Sequence, residues 1–370
     1  MGIYERLGLR RVVNGSATLT RLGGSVMPPV VRQAMMEAAE SFVDIVDMQR
    51  AVSARIAELT HNEAAYVPSG AAAGLALVTA ALITGTDEAK AERLPLPDGP
   101  NYDVLIHKCQ RFVYDHAVRQ VGVNLVEFGM GRSTQPWELE AAYSDRTIAV
   151  LYLAGTVNER GALPLEQVIK SAHARRVPVV VDAAAQLPPV ENLWRFTRDV
   201  GADIAIFSGG KGLCGPQPTG LVLGRKDIIE GIYVNASPIQ NIGRPMKVGK
   251  EELAGILAAV EWYLGLDHKA VLAQYEETVQ YFVRELDGIP GVRAQRDFPS
   301  EAGQPHPRAL VTLGAAALGF GRDHVVKALR DGEPSIAVAA APEGILINPQ
   351  TLQEGEERIV ARRLKEILAG

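Results

Sequence analysis

The sequence predicts an α/β fold: a mostly parallel seven-stranded sheet sandwiched by helices, followed by a smaller α+β domain. Three observations predict it. Short β-rich runs alternate with helical patterns from about residue 64 to 230. Most of those runs are continuously apolar, the pattern of strands buried on both faces. After residue 250 the texture changes to two long helical patterns and then short strands.

Taken in order, Pro28 to Ser41 and Asp47 to Thr60 read as helices, with Pro28-Pro29 at a first turn, where a missing N–H costs little. The strand candidates are Ala64 to Pro68, Asp103 to His107, Val123 to Phe128, Thr147 to Leu153, Pro178 to Asp182, Asp203 to Ser208 and Gly220 to Gly224. Helical stretches lie between them at Gly70 to Ile83, Arg111 to Val121, Trp137 to Tyr143, Leu165 to Ala174 and Leu193 to Val200. Such alternation means crossover connections and parallel pairing. The last strand follows its predecessor after only a loop, so antiparallel pairing is expected there. Lys250 to Gly265 and Asp267 to Leu286 are long helical patterns. Strands are expected at Val292 to Arg296, Ala309 to Leu313, Ser335 to Ala341 and Ile345 to Asn348, and a helix at Glu354 to Leu368. The expected division is an N-terminal segment 1–45 packing on the small domain, a large domain 46–249 and a small domain 250–370.

Composition excludes several classes of function. Apolar residues make up 47% of the 370, enough for a sizeable core, and the net charge of −5 does not favour a nucleic-acid binder. Two cysteines, Cys109 and Cys214, rule out a disulfide framework or a Cys-rich zinc site. Arg6, Arg10 and Arg11 interrupt any leader-like start, and the apolar run from Gly70 to Gly85 is too short to span a bilayer. A soluble, cytoplasmic protein without nucleic-acid or membrane partners is expected.

Three windows carry chemistry. In Asp203-Ile-Ala-Ile-Phe-Ser-Gly-Gly-Lys-Gly-Leu-Cys-Gly-Pro-Gln-Pro-Thr-Gly220 a buried strand ends at Ser208 and Lys211 follows in a glycine-rich turn. A partly desolvated lysine amine there is a plausible imine former, against the plainer reading of a solvated loop lysine. Gly210, Gly212 and Gly215 also match G-x-G-x-x-G, but Pro216 and Pro218 follow where a nucleotide fingerprint needs a helix to open, so that motif is rejected. Next, Val179 to Val181 delivers Asp182 to a strand's carboxyl end, where it can pair with a protonated pyridine nitrogen or simply cap the segment after it. Third, Tyr66-Val-Pro-Ser-Gly-Ala-Ala-Ala-Gly74 runs from strand to helix, and its exposed N–H groups with Ser69 suit a phosphate monoester, or form an ordinary N-cap.

In that order, on an alternating α/β block, these windows resemble the fold-type I pyridoxal-phosphate enzymes. Within them the chain is similar to the selenocysteine-synthase-like family, on the branch that includes D-glucosaminate-6-phosphate ammonia-lyase. The resemblance runs over most of the chain, including Val13 to Ser25, Ser208 to Gln217 and Gly243-Arg-Pro-Met-Lys-Val-Gly-Lys-Glu251. It implies pyridoxal 5'-phosphate joined to Lys211, Asp182 on its ring nitrogen, and Ser69, Gly70, Ala71, Ala72 and Ser208 on its phosphate. Gln186 would lie beside the ring, and the Gly215 to Thr219 loop would reach a neighbouring subunit's site, making Thr219 a cofactor contact in a homodimer or higher oligomer.

A polar cluster spans His107, Arg111, Asp115, His116 and Arg119. His107, Cys109 and His116 lack a regularly spaced fourth ligand, so no metal is expected. His116 is read as stacking on the cofactor and Arg111 as facing the substrate; a solvated helix face is the alternative. Arg244 and Lys247, with Lys250 beside them, would hold a substrate carboxylate or phosphate, Arg244 most of all.

The chemistry expected is Cα proton abstraction by the Lys211 amine and β-elimination, turning a polar amino acid or amino sugar acid into a 2-keto acid and ammonia. A racemase or aldolase on the same cofactor is the alternative, and a catalytically inactive binding relative the alternative of another class. Gly210 stands before Lys211 where selenocysteine synthases carry an acidic residue, so a tRNA substrate is not expected.

Overall fold

The computed structural model describes residues 2–97 and 101–369. Among them are twelve strands: β1 (Val12–Gly15), β2 (Ala64–Tyr66), β3 (Asp103–His107), β4 (Asn124–Phe128), β5 (Thr147–Leu153), β6 (Val179–Asp182), β7 (Ile204–Ser208), β8 (Gly220–Gly224), β9 (Val292–Asp297), β10 (Arg308–Leu313), β11 (Ser335–Ala341) and β12 (Gly344–Ile347). No helix of the described residues is long and apolar enough to cross a membrane.

The chain divides into two units, Met27–Gly265 and Met1–Val26 with Leu266–Gly370. The larger holds a seven-stranded sheet in the order β2-β8-β7-β6-β5-β3-β4. Strands β3 to β7 pair in parallel, and β8 runs antiparallel to both β7 and β2. Continuously apolar runs make this possible: every residue of β3, β6 and β8 is buried, as a sheet covered on both faces requires. Helix Ala71–Thr84 is apolar nearly all round and, apart from Leu82, buried from Ala73 onward. Gly74 lets it settle on the sheet, since a Cβ there would stand 3.1 Å from Ile206 and Val222 side-chain atoms.

Buried aspartates close the opposite, amino-terminal edge. The Asp103 carboxylate accepts from Asn124, from the Ser144 hydroxyl and from Arg146 at 3.0–3.1 Å. Asp203 accepts from the Val179 N–H and Arg225, both at 2.7 Å, and lies 2.9 Å from His173 Nε2. Burial alone would raise the Asp103 carboxyl, but its three donors outweigh that and hold it below the usual carboxylate range. Asp103→Asn is therefore expected to cost roughly 1.5–3 kcal/mol at neutral pH. Because the folded group is the stronger acid, that contribution is full above the unfolded value and is lost as pH falls through the folded one. The gap between the two proteins' denaturation midpoints should close below about pH 4; a constant gap in chemical denaturation series would contradict it.

The smaller unit has a five-stranded sheet, β1-β11-β12-β10-β9, in which β1 pairs in parallel with β11 and the other pairs are antiparallel. Helices His268–Leu286, Arg322–Asp331 and Glu356–Leu368 supply Phe282, Leu286, Leu329 and Leu364 to its core.

The junctions differ from those expected at 45/46 and 249/250. Helices Pro29–Ala39 and Lys250–Leu264 both belong to the larger unit and pack on each other. A Cβ at Gly255 would stand 2.8 Å from Met35, and Lys250 Nζ donates to the Ala38 carbonyl at 2.6 Å. Two expected helices are also shorter. Over Arg111 to Val121 only a 3₁₀ turn (Val113–Asp115) and His116–Arg119 are helical, and Leu193 to Val200 is a short turn, Asn192–Trp194, running into a π-helical one, Arg195–Asp199.

Candidate active site

Strands β6 and β7 are neighbours, so their carboxyl ends place Asp182 and the Lys211 turn side by side. Asp182 is buried, and one carboxylate oxygen accepts from the Ala184 N–H at 3.0 Å. Burial pushes this carboxyl up, opposed by the Ala184 N–H and by the charge of Lys211. Pairing continues past the strand ends, with Ala183 N–H donating to Ile206 at 2.9 Å and Ser208 N–H to Ala184 at 3.2 Å.

Lys211 sits in a loop closed by its own backbone. Gly209 N–H donates to Thr219, Gly215 N–H to Gly209 and Cys214 N–H to Lys211, at 2.8–2.9 Å. Its glycines are packing requirements: a Cβ would stand 2.6 Å from Gln217 Cα at Gly210 and 2.4 Å from the Leu187 carbonyl at Gly212. The G-x-G-x-x-G spacing therefore has a cause unrelated to nucleotides. The buried Thr219 hydroxyl donates to Pro216 at 2.6 Å.

Beside this loop, Gly70 caps helix Ala71–Thr84 with a φ of 100°, a conformation open to glycine, and no side chain caps that terminus. Ala72 is exposed, although the helix beyond it is buried. Gly220 backs the turn: its N–H donates to Pro68 at 2.9 Å, and a Cβ there would come within 2.8 Å of the Gly70 carbonyl carbon. Through Thr219 and Gly220, the Ser69 to Ala72 cradle and the Lys211 loop form one hydrogen-bonded strip.

The remaining expected residues are placed as follows. Gln186 is buried in the turn after β6. His116 is exposed at the start of its helix, which packs on helix Ala71–Thr84. Arg111 is held by Asp115 at 2.6 Å and by Glu127. Arg244 and Lys247 line a recess of about 430 Å³ with Ser237, Gly249, Glu252 and Pro218, the last from the lysine loop. His107 is a core residue: burial pushes its imidazole down to about 4, and Nε2 accepts from the Leu163 N–H at 3.1 Å. No group of three or more metal-ligating side chains occurs among the described residues. Sequence reasoning missed Gly220, whose part depends on a contact 150 residues away, and Glu127, which nothing in the linear pattern ties to Arg111.

An Aminotransferase class-V family model matches residues 29–307. The chain belongs to that family. It is a fold-type I pyridoxal-phosphate enzyme with selenocysteine-synthase-like relatives. It is 33% identical, over 99% of its length and 92% of the relative's, to the 5'-C-glycyluridine monooxygenase-decarboxylase of Streptomyces sp. It is 32% identical to the D-glucosaminate-6-phosphate ammonia lyase of Salmonella typhimurium, over 99% of this chain and 97% of that one. A solved structure of D-glucosaminate-6-phosphate ammonia-lyase superposes with a TM-score of 0.87 at 32% identity, covering 100% of this chain and 98% of the other.

The site fits the cofactor chemically. An uncapped helix start suits a phosphate, a buried carboxylate suits a protonated ring nitrogen, and an amine within electrostatic reach of that carboxylate suits an aldehyde.

Proposed function

We propose that this class-V enzyme is an ammonia-lyase that converts a polar amino acid or amino sugar acid into a 2-keto acid and ammonia by Cα proton abstraction and β-elimination. The observation that carries it is the buried Asp182 beside Lys211, next to an uncapped helix start. When bound, the cofactor supplies an electron sink for the charge left on Cα.

The chain's own residues do the rest. Ser69, Gly70, Ala71, Ala72 and Ser208 would hold the phosphate, and the Asp182 carboxylate would favour a protonated ring nitrogen. Lys211 would hold the cofactor's aldehyde, and its amine would be the base that takes the substrate Cα proton. For a 2-amino-3-hydroxy acid the proton and hydroxyl leave as water, and hydrolysis returns one water as the C–N bond breaks, so the net products are a 3-deoxy-2-keto acid and ammonia. Gln186 and His116 would contact the cofactor, whereas Thr219, expected to do so, is fully buried with its hydroxyl on the Pro216 carbonyl and shapes the lysine loop instead. Arg244 and Lys247 bind the substrate's carboxylate or phosphate, with Arg111 on the side of His116.

The same reading places the enzyme in the cytoplasm as a homodimer with sites at the subunit interface, acting on neither nucleic acid nor membrane. Fully exposed Phe42 and the exposed Val43, Val46 and Ile239 support the dimer, since apolar surface of this kind marks contact surfaces. Sedimentation of the holoenzyme as a monomer would refute it.

The cradle gives a direct test. Gly220→Ala forces a methyl against Gly70 and Ala71, and the pyridoxal-phosphate dissociation constant should rise about ten- to a hundredfold. Fluorescence titration of the apoprotein measures it, and unchanged affinity would remove the cradle from the reading. For the reaction, candidate amino acids and amino sugar acids are incubated with the holoenzyme, and ammonia and 2-keto acid are assayed together. Equimolar release is expected. Racemisation without ammonia would overturn the lyase assignment, as would oxygen uptake with carbon dioxide release, the outcome that the name of the Streptomyces relative suggests.

A further inference from the structure

The buried carboxylate of Asp115 stands between two arginines. One oxygen accepts from Arg111 Nε at 2.6 Å and the other from Arg119 Nε at 3.1 Å. Burial raises this carboxyl, but the two guanidinium groups outweigh it and keep it ionised. Arg119 is thereby fixed at its Nε, and one terminal nitrogen lies 3.4 Å from Nδ1 of His116. A guanidinium has only donors and keeps its proton at any ordinary pH. The imidazole atom facing it completes a hydrogen bond when it presents a lone pair, that is, with the ring proton on Nε2.

We infer that Arg119, anchored by Asp115, is a positioning residue that holds the His116 ring with Nδ1 toward its guanidinium and the ring proton on Nε2. This rests on the reading above that His116 contacts the cofactor. A ring so held offers a fixed N–H donor and no free nitrogen that can accept a proton. Base chemistry is then confined to the Lys211 amine, and proton return from the histidine side, as a racemase would need, is disfavoured.

The test uses the folded apoprotein and the holoenzyme. With ¹⁵N-labelled histidine, and the His116 signals assigned by their loss in His116→Gln, the apoprotein should show a pyridine-type Nδ1 and a pyrrole-type Nε2. In Arg119→Met the two shifts should move toward one another as the tautomers mix, and Arg119→Lys, which restores a charged donor, should return them toward the wild-type positions. In the holoenzyme, Arg119→Met should lower kcat roughly ten- to a hundredfold and move the visible cofactor band, with Arg119→Lys recovering part of both. A pyrrole-type Nδ1 in the wild type, or shifts indifferent to Arg119→Met, would overturn the inference while leaving the lyase reading intact. Should the shifts respond but His116→Gln leave turnover and the cofactor band unchanged, the placement of His116 at the cofactor fails, and the inference with it.

Discussion

Lys211→Ala is expected to reduce turnover by roughly three to four orders of magnitude and to abolish covalent attachment of the cofactor. One side chain carries both tasks, so a single truncation removes both. The fold should survive, because the loop is closed by backbone hydrogen bonds of Gly209, Cys214 and Gly215 that an alanine leaves in place. After borohydride reduction, mass spectrometry of the wild type should find pyridoxal phosphate on the peptide containing position 211, and the variant's peptide should be unmodified. Turnover at a tenth of the wild-type rate or better in the variant would remove Lys211 from the mechanism.

Asp182→Asn should separate function from stability. Losing the charge opposite the ring nitrogen is expected to cost turnover roughly a hundred- to a thousandfold. The apoprotein should nevertheless melt higher than the wild type. Burial raises the Asp182 carboxyl above its unfolded value, with Ala184 and Lys211 only partly opposing. An acid raised in this way destabilises the fold once pH exceeds the unfolded value, and fully so above the folded value. Asparagine keeps an oxygen for the Ala184 N–H and carries no charge, so its advantage should be present at pH 7 and vanish below about pH 4. Calorimetry of both apoproteins at the two pH values checks this, and a variant less stable at pH 7 would mean that the ionised carboxylate is better compensated than its burial implies.

Much of the larger unit was legible in the sequence because strands covered on both faces must be apolar at every position. The runs at 103–107, 147–153 and 220–224 coincide with β3, β5 and β8. The order of the chemical windows was legible for a related reason: a charged side chain following such a run has to emerge at a strand end. Short or crowded elements were not. Val12–Gly15 has four residues and gains its place through distant partners, β11 and the turn at Asn348 and Thr351. Helix Lys226–Asn235 mixes β-branched residues with Gly231, whose missing side chain allows close approach to Ala81. The junctions at 45 and 249 were misplaced because the apolar faces of helices Pro29–Ala39 and Lys250–Leu264 cover each other, and a linear pattern does not name a helix's partner. For the site, Lys211 and Asp182 announce themselves through their spacing, whereas Gly220 and the Arg119–His116 contact depend on atoms that only the folded chain brings together.

The parallel pairing of Val12 with Ser335 has a consequence during synthesis. At ribosomal speeds of about 5–20 residues per second, β1 waits roughly 16–65 seconds for its partner strand. Met27–Gly265 emerges complete within that interval and can settle first. The leading strand meanwhile remains an unsatisfied edge, open to capture by a nascent neighbour or a chaperone until translation delivers β11.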